Sequence, residues 1–387
     1  MLKDILSTPG VKPVLFTLFM TSFGFGVILP ILPFYALSLG AKPMELGMLT
    51  ATYALMALIF APIMGRLGDS VGRKKILLIG AAGFALAYLL FAFTDSLFMA
   101  FAARAIEGIA SAAIFPSCIS LLSDFTDEKQ RGRAMGLVGM SFSLGYIVGP
   151  AFGGIASAIS VKDVFFLSAG LAFLNFLSVY FQLREPREKA ESANISGQEV
   201  GLVEHLSSPL LFLFLGTFMT AFMIGGLDAT LAIYTGEKMN FSATQVGIIF
   251  TYIGFLILAM QYSAGSLVNR FGELKLIPMG LLLSGTGFFL LTFTHDWLTI
   301  LFPLAIFVAG NALVFPSVNS LITKKVAGKR GAVLGLVSSF QSLGQMVGPL
   351  LGGFLYGFGH DYPFMAMAVV IWAYFLVFVL FARKRLA

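Results

Sequence analysis

The twelve residues Ser143–Gly154, SLGYIVGPAFGG, are the best guide to the fold of this 387-residue chain. Gly145, Gly149 and Gly153 recur every fourth residue, so on a helix they form one face without side chains. A second helix can approach such a face very closely, as transmembrane helices commonly do. Pro150 removes one helical hydrogen bond and bends the helix. The stretch therefore predicts a bent, closely packed helix.

A near copy of this stretch follows at Ser342–Gly353, SLGQMVGPLLGG. Eight of its twelve positions are identical to the first stretch at an offset of 199 residues. The repeated face comprises Gly344, Gly348 and Gly352, with Pro349 beside it. Parallel repeats of this kind are typical of membrane transporters, so we expect two similar halves. Further pairs agree at offsets of 199 or 200: Gly65, Asp69 and Gly72 with Gly265, Asn269 and Gly272, Phe115–Ser117 with Phe315–Ser317, and Arg131–Gly132 with Arg330–Gly331.

The composition indicates a membrane protein. Hydrophobic residues make up 58% of the chain and charged residues only 11%, and the mean hydropathy is +0.91. A water-soluble globule with so few charges would be unable to cover its surface, so this class is excluded. Cys118 is the single cysteine, which excludes a disulfide framework.

Twelve long apolar segments are separated by short polar breaks, and each is long enough to cross a bilayer. We therefore predict an all-α membrane protein with twelve transmembrane helices in two pseudo-symmetric six-helix bundles. The predicted domains are residues 1–184 and 209–387, joined by a polar cytoplasmic linker over 185–208. The segments lie near 13–37, 45–66, 75–94, 98–123, 132–157, 163–184, 209–235, 243–268, 275–294, 298–323, 331–357 and 361–383.

The distribution of basic residues predicts the orientation. Lys42, Lys162 and Lys238 are the only basic residues in the loops after odd-numbered spans. Because cytoplasmic loops carry the excess of lysine and arginine, both termini are expected in the cytoplasm. The net charge of +6 is then a topology signal and does not indicate nucleic-acid binding. The first apolar run is expected to remain as a span, without a cleavable signal peptide.

Several motifs together resemble the Major Facilitator Superfamily. Gly65–Lys75, GRLGDSVGRKK, resembles that family's signature between the second and third spans. Arg104 with Gly108 resembles its fourth-span signature, although Glu107 stands where glutamine is usual. Ser143–Gly154 resembles the fifth-span signature of the drug:proton antiporters, which include multidrug and tetracycline exporters. The resemblance covers essentially the whole chain and implies a secondary transporter. Because Ser342–Gly353 repeats the fifth-span stretch, that stretch indicates fold and symmetry more strongly than the direction of transport.

Three charged residues lie inside predicted spans, where a charge is costly and calls for an explanation. Arg104 and Glu107 share one face of the fourth span, and Asp228 lies in the seventh. The region around Asp228 also resembles the seventh helix of quinolone exporters, which carries an acid there. The functional interpretation is proton coupling at one outward-facing cavity. The alternative for Arg104 and Glu107 is a fixed ion pair that holds the helix.

The resemblance implies a conformational latch at the loop after the second span. Asp69, with Arg73, Gly65 and Gly72, would face the start of the eleventh helix and lock the outward-open state. A carboxylate is favoured at a helix N-terminus. The alternative is a solvated loop acid. Asn269 at the equivalent position of the second half carries no charge, so the latch is expected on one side only.

Polar groups within the spans are candidates for the substrate cavity, and interhelical hydrogen bonding is the alternative role for each. The chain also contains 41 phenylalanines and 17 methionines, which suit lipophilic cations through stacking and cation–π contacts, although most of them are expected to face lipid or other helices. The candidates are Tyr146, Tyr234, Tyr252, Gln261, Asn311, Gln341 and Gln345.

These observations predict a secondary transporter that exports lipophilic drugs or similar amphipaths in exchange for protons, by alternating access. It is expected to act as a monomer in the cell membrane. No cofactor or metal is expected, because the sequence has no phosphate-binding loop and its three histidines lie far apart in predicted loops. One alternative is a transporter of the same fold for a sugar, metabolite or lipid. The other is a non-transporting receptor or lipid-modifying enzyme.

Overall fold

The computed structural model describes residues 2–185, 210–325 and 330–382, and the regular elements in these ranges are helices. A short helix, Leu2–Ser7, precedes the first span and was not expected from the apolar pattern. The helices are α1 (Leu2–Ser7), α2 (Val11–Ser38), α3 (Pro43–Val71), α4 (Arg73–Phe93), α5 (Leu97–Phe125), α6 (Glu128–Ser157), α7 (Val161–Gln182), α8 (Leu210–Met239), α9 (Ala243–Phe271), α10 (Glu273–Leu291), α11 (Trp297–Lys325), α12 (Arg330–Tyr356) and α13 (Tyr362–Val377), the last extended by a π-helical turn (Phe378–Ala382).

Eleven helices of the described ranges are long and apolar enough to cross a membrane. They lie in α2 to α11 and in α13, where the sequence predicts spans. The remaining predicted span, near 331–357, is occupied by α12. The predicted all-helical membrane fold is confirmed.

The chain divides into two compact units. The first unit comprises Met1–Ala41, Thr52–Ser196 and Ser242–Thr251, and the second comprises Lys42–Ala51, Gly197–Phe241 and Tyr252–Ala387. The predicted linker over 185–208 lies outside the described residues except for Glu185, so the division of the chain at that linker stays a prediction.

In the first unit, the glycine face of α6 lies against α2. A methyl group at Gly145 would lie 2.5 Å from the carbonyl oxygen of Phe19. At Gly149 and Gly153 it would overlap the backbone carbonyls of the next two turns of α2. Any side chain on this face would separate the two helices, so the sequence provides glycine at all three positions.

The second unit repeats this arrangement between α12 and α8. Methyl groups at Gly344 and Gly348 would overlap the carbonyls of Phe218 and Phe222. At Gly352 a methyl group would lie 2.6 Å from the methyl carbon of Thr230. The two repeated stretches therefore form the same close contact, one in each unit.

The final glycine of each stretch packs elsewhere within its own unit. Gly154 lies against the backbone of Gly247, and Thr244 Oγ1 donates a hydrogen bond of 2.7 Å to the Gly154 carbonyl. Gly353 lies against Gly47 in the same way. Each stretch thus joins two helix–helix contacts, which a smooth glycine surface permits on more than one side.

Candidate functional site

A buried ion pair lies on α5 in the first unit. Arg104 and Glu107 lie one turn apart on α5, with Nη1 of the arginine 2.7 Å from Oε2 of the glutamate. Their side chains are 1% and 0% exposed, respectively. Among the residues that the structure describes, Oε1 of Glu107 has no hydrogen-bond partner. The predicted pairing within the helix is therefore present, but it satisfies only one of the two carboxylate oxygens.

Tyr53 of the neighbouring helix α3 contacts this pair. The guanidinium of Arg104 lies 5.1 Å from the centre of the Tyr53 ring, a cation–π contact. The Tyr53 hydroxyl donates a hydrogen bond of 2.7 Å to Ser111 Oγ. Gly108 permits this approach, since a methyl group there would overlap the Tyr53 carbonyl. The arginine is thus in contact with the Glu107 carboxylate and with the face of the Tyr53 ring.

Asp228 is a buried acid of the second unit, as is Glu273 at the start of α10. It lies on α8 and is 5% exposed. Around it the helix is built from small residues, and Thr230 Oγ1 donates a hydrogen bond of 2.7 Å to the Gly226 carbonyl. The methyl end of Met367 fills the space beside Gly226.

None of the three buried charges is repeated in the other unit. Leu304 and Phe307 stand 200 positions after Arg104 and Glu107, and Leu29 stands 199 positions before Asp228. The helices that carry these residues are otherwise similar in length and neighbours. The charges are therefore not needed to build the helical frame.

The predicted latch residues lie where α3 ends and α4 begins, and Gly65 and Asp69 belong to the last turns of α3 instead of the predicted loop. Asp69 Oδ1 is 3.5 Å from Nη2 of Arg73, and the aspartate side chain is 67% exposed. Arg73 also pairs with Asp124 at the end of α5. The carboxylate of Glu185 accepts the backbone N–H of Arg73 at 2.7 Å. The arginine is thus part of a cluster that includes two acids which the sequence analysis did not identify.

The glycines of the latch differ from one another. Gly72 has a φ of 114°, a conformation that disfavours other residues, and it lies directly beside Glu185. Gly65 has open space around it, with nothing within 4 Å of an added methyl group. The role of these residues in a latch stays a prediction. At their counterparts Gly265 and Asn269, the structure describes only the backbone.

The second unit contains a matching cluster of opposite polarity. Glu273 and Lys324 form an ion pair, and Ser320 Oγ donates a hydrogen bond of 2.7 Å to Glu273. These residues follow Arg73 and Asp124 by 200 positions, so the acid and the base have exchanged places. The sequence analysis missed this pair, although the repeat offset applied to Arg73 would have found it.

The predicted cavity residues are divided between the units. Tyr146 belongs to the first unit and the other six to the second. Tyr252 donates a hydrogen bond of 3.3 Å to the Leu301 carbonyl, and Asn311 is buried. Gln261 and Gln341 are exposed, whereas Gln345 is half-buried. Their contact with a substrate stays a prediction.

Tyr234 takes part in hydrogen bonds between helices, the alternative role given for it above, but the other members of its network were not indicated by the sequence. Its hydroxyl donates to the Leu291 carbonyl at 2.7 Å and accepts a hydrogen bond from Lys238 at 2.8 Å. Lys238 pairs with Asp361 at 2.7 Å. No local motif joins these residues, which come from two helices and a distant loop. In the described ranges, no group of three or more His, Cys, Asp or Glu residues is arranged to hold a metal ion.

The chain resembles characterised transporters along nearly its whole length. The family model described as Major Facilitator Superfamily matches residues 14–242 and 213–386. The chain is 30% identical over 358 residues to Multidrug resistance protein 1 of Bacillus subtilis (strain 168), which covers 92% of this chain and 91% of that protein. It is also 30% identical over 357 residues to the class B Tetracycline resistance protein of Escherichia coli, covering 89% and 87%.

Solved structures agree with this fold. A bacterial homolog of the human lysosomal transporter Spinster, in an inward-facing and unoccupied conformation, matches with a TM-score of 0.82 at 15% identity. The match covers 97% of this chain and 96% of that one. The human organic anion transporter MFSD10 matches with a TM-score of 0.70 at 21% identity over 95% and 98% of the two chains. This multi-pass membrane protein belongs to the Major Facilitator Superfamily.

Proposed function

We propose that this transporter exports lipophilic drugs or similar amphipathic molecules in exchange for protons, by alternating access. The observation that carries the proposal is its likeness, over more than nine-tenths of the chain, to a multidrug resistance protein. Tetracycline and quinolone resistance proteins match over a similar length. The substrate class of these relatives is the best guide to that of this chain.

Buried carboxyl groups supply the means of coupling to protons. Glu107 and Asp228 lie away from water, where the charged form of a carboxyl group is disfavoured. We propose that each takes up a proton in one facing state and releases it in the other. For Glu107 the neighbouring cation is Arg104, 2.7 Å away. For Asp228 we propose that binding of a cationic substrate, or opening of the site to water, favours release of the proton.

A proton and a substrate that favour opposite facing states give antiport. Protonation of Asp228, with Glu107, favours one state, and the substrate favours the other. We further propose that Asp69 and Arg73 stabilise the outward-open state. The many phenylalanine and methionine side chains allow a substrate pocket to accept differently shaped lipophilic molecules.

The proposed setting is the cell membrane, with both termini in the cytoplasm and the monomer as the working form. The orientation is supported by the basic residues, of which only Lys42, Lys162 and Lys238 fall in loops after odd-numbered spans. In this orientation Asp69 and Arg73 lie at the cytoplasmic end.

Reconstituted vesicles with an imposed pH gradient test this function. Wild-type protein is expected to move a lipophilic cation such as ethidium uphill and to carry protons the other way, until an uncoupler removes the gradient. Asp228→Asn should abolish the substrate-induced proton flux, because its amide binds no proton at these pH values. The matched control is Glu237→Gln on the same helix, which removes a partly exposed carboxylate that accepts a hydrogen bond from Tyr356.

The two variants give a clear decision. Loss of coupled flux in Asp228→Asn with retention in Glu237→Gln supports the proposal. Coupled flux at the wild-type rate in Asp228→Asn removes that residue from the mechanism. Absence of any drug-dependent flux in the wild type, with a sugar or metabolite transported instead, overturns the proposed substrate class.

A further inference from the structure

Tyr53 of α3 lies along the face of α5 that carries the Arg104–Glu107 pair. Residues three and four positions apart share a helix face, and this face comprises Arg104, Glu107, Gly108 and Ser111. The centre of the Tyr53 ring is 5.1 Å from the guanidinium carbon of Arg104, and the Tyr53 hydroxyl donates a hydrogen bond of 2.7 Å to Ser111 Oγ. A methyl group at Gly108 would lie 2.4 Å from the Tyr53 carbonyl oxygen. Tyr53 is therefore fixed to this face at three places, by its ring, its hydroxyl and its backbone.

Tyr53 is more exposed than the ion pair beside it. The side chains of Arg104 and Glu107 are 1% and 0% exposed, whereas Tyr53 is half-buried. Its ring therefore belongs to the layer between the ion pair and the surface of the protein. Phe25 of α2 extends this layer, since it too is half-buried and its ring centre is 5.5 Å from that of Tyr53. On this side the pair is covered by aromatic rings.

The covered carboxylate has an unused hydrogen-bonding position. Oε2 of Glu107 accepts a hydrogen bond of 2.7 Å from Arg104, while Oε1 has no partner in the part of the chain described by the structure. A buried polar atom without a partner is unfavourable, and water would supply one if it could reach the carboxylate. Movement of the Tyr53 ring away from Arg104 would open such a path from the surface. The same path would let a proton reach or leave Glu107.

The second unit has an aliphatic residue where the first has Tyr53. Gly65 and Gly265 relate α3 to α9 by an offset of 200, and the same offset places the buried Ile253 at the position of Tyr53. The aromatic ring and the close approach at a glycine thus occur in the unit that has the charges, so the pairing of the helices alone does not require Tyr53. The counterparts of Arg104, Glu107, Gly108 and Ser111 are Leu304, Phe307, Val308 and Asn311, of which only the last is polar.

We propose that Tyr53 is a positioning residue of the coupling site, which holds the Arg104 guanidinium against Glu107 and closes the pair to water. A cation is attracted to the face of an aromatic ring, most strongly where water is excluded. The ring therefore keeps the guanidinium beside the carboxylate as long as it lies over the pair, and its displacement exposes Glu107 to proton exchange. The inference rests on the proposed role of Glu107 in proton coupling, and it adds the residue that controls access to that carboxyl group.

Chemical labelling of Glu107 tests this inference without transport. Purified full-length protein in detergent is treated at one fixed pH with a water-soluble carbodiimide and an amine, and labelling of each acid is followed by peptide mass spectrometry. The labelled site is identified by its absence in Glu107→Gln. Tyr53→Leu removes the ring, and we expect it to raise the labelling rate of Glu107 about tenfold or more, because the cation–π contact that keeps the ring in place is lost.

Two further variants separate the ring from its hydroxyl. Tyr53→Phe keeps the ring and loses only the hydrogen bond to Ser111, and Ser111→Ala removes the same bond from the other side. Each should raise the labelling rate by a similar and smaller factor, about threefold, as expected for one hydrogen bond. Phenylalanine should therefore restore most of the protection that leucine removes.

Two controls detect a general loosening of the protein. Asp228 is a buried acid of the second unit in the same molecule, and its labelling should stay at the wild-type rate in every variant. Tyr180→Leu removes another tyrosine ring that lies near a cation, with Lys74 Nζ 5.7 Å from its centre, but this ring is on α7. Glu107 should be labelled at the wild-type rate in this control.

Three results would overturn the inference: wild-type labelling of Glu107 in Tyr53→Leu, equal labelling in Tyr53→Leu and Tyr53→Phe, or an equal rise at Glu107 and Asp228. A rise at Glu107 alone, which phenylalanine largely prevents, supports it even if vesicles show no drug–proton exchange. That combination would refute the proposed function and leave Tyr53 in control of access to Glu107, so the two failures are distinguishable.

Discussion

Equivalent tyrosines make hydrogen bonds between equivalent helices in the two units. In the first unit, the hydroxyl of Tyr35 near the end of α2 lies within hydrogen-bond distance of the backbone carbonyls of Phe91 and Thr94, at 3.0 and 2.9 Å. In the second unit, Tyr234 on α8 contacts Leu291 and Thr294, each 200 positions after its counterpart. The glycine faces of α6 and α12 agree as closely. The frame is therefore built twice by the same contacts.

The interiors of these frames differ. The first unit buries Arg104 and Glu107, whereas the second has Leu304 and Phe307 at the two equivalent positions. The second unit has Asp228 where the first has Leu29. Since the same helix packing forms with charged or with apolar residues at these positions, the charged residues are not required for packing and can serve transport. Exchanging residues between equivalent positions therefore separates effects on folding from effects on transport.

Arg104→Leu is expected to have the largest effect on stability. It copies Leu304 of the second unit and leaves the Glu107 carboxylate buried without its cation. Removal of one member of a buried ion pair costs about 3–5 kcal/mol. We expect a loss of this size in the free energy of unfolding, measured by denaturant titration in detergent micelles.

The double variant Arg104→Leu/Glu107→Phe is the control for this prediction. It copies both residues of the second unit, where Phe307 packs edge-on against Phe288. An apolar pair replaces an ion pair with little loss of stability, so most of the stability should return. Proton-coupled export should not return. A single variant as stable as the wild type would show that Glu107 is uncharged in the folded protein.

Gly149→Ala and Gly348→Ala test whether the two glycine faces are equivalent. Each added methyl group would overlap a backbone carbonyl, of Phe23 or of Phe222. Overpacking of this kind costs about 1–3 kcal/mol. We expect the two losses to agree, as measured by the same denaturant titration.

The matched controls are Gly136→Ala and Gly335→Ala on the same two helices. Nothing lies within 4 Å of a methyl group at either position. Alanine is favoured over glycine inside a helix by roughly 0.5–1 kcal/mol, so these variants should be as stable as the wild type or more stable. A clear loss at one face and none at the other would contradict the equivalence.

The positions of the helices could be predicted because they depend on local sequence patterns. Span length, glycine spacing and the repeat offset are each legible within about twenty residues, and the helices appear where these patterns predict them. The pairing of Arg104 with Glu107 was also predictable, because the residues are one turn apart.

Contacts between distant segments were not predictable in this way. Tyr88 meets Gly24 across 64 positions, and Glu185 reaches the start of α4 from beyond α7. Lys238 meets Asp361 only because α8 and α13 are neighbours. No spacing within one helix records such contacts. The repeat nevertheless contained unused information, since the pair of Glu273 and Lys324 follows from Arg73 and Asp124 by offset alone.

Exchange of polarity at the base of α4 and α5 is expected to have a smaller effect. Arg73→Glu removes the pair with Asp124, and Asp124→Lys added to it restores a pair with the polarity of Glu273 and Lys324. Because the first pair is partly exposed, its interaction energy in a double-mutant cycle of Arg73→Ala and Asp124→Ala should be about 0.2–1 kcal/mol. It should decrease as salt is added. An energy independent of salt would contradict this.

Asp69→Asn is expected to have the smallest effect on stability, and it separates fold from transport most clearly. It copies Asn269 of the second half. The carboxylate is 67% exposed and 3.5 Å from Arg73, so its loss should change the free energy of unfolding by less than about 0.5 kcal/mol. Drug export in vesicles should nevertheless fall, because the proposed latch requires a charge at this position.

The control for this last prediction is Asp163→Asn, which removes an exposed acid from the first turn of α7. Both variants lose one carboxylate near a helix end, so a general effect of net charge would reduce export equally in the two. Reduced export in Asp69→Asn alone, with unchanged stability, assigns the effect to the position. Wild-type export by Asp69→Asn would instead show that Asn269 and Asp69 are interchangeable and that neither unit carries a charged latch there.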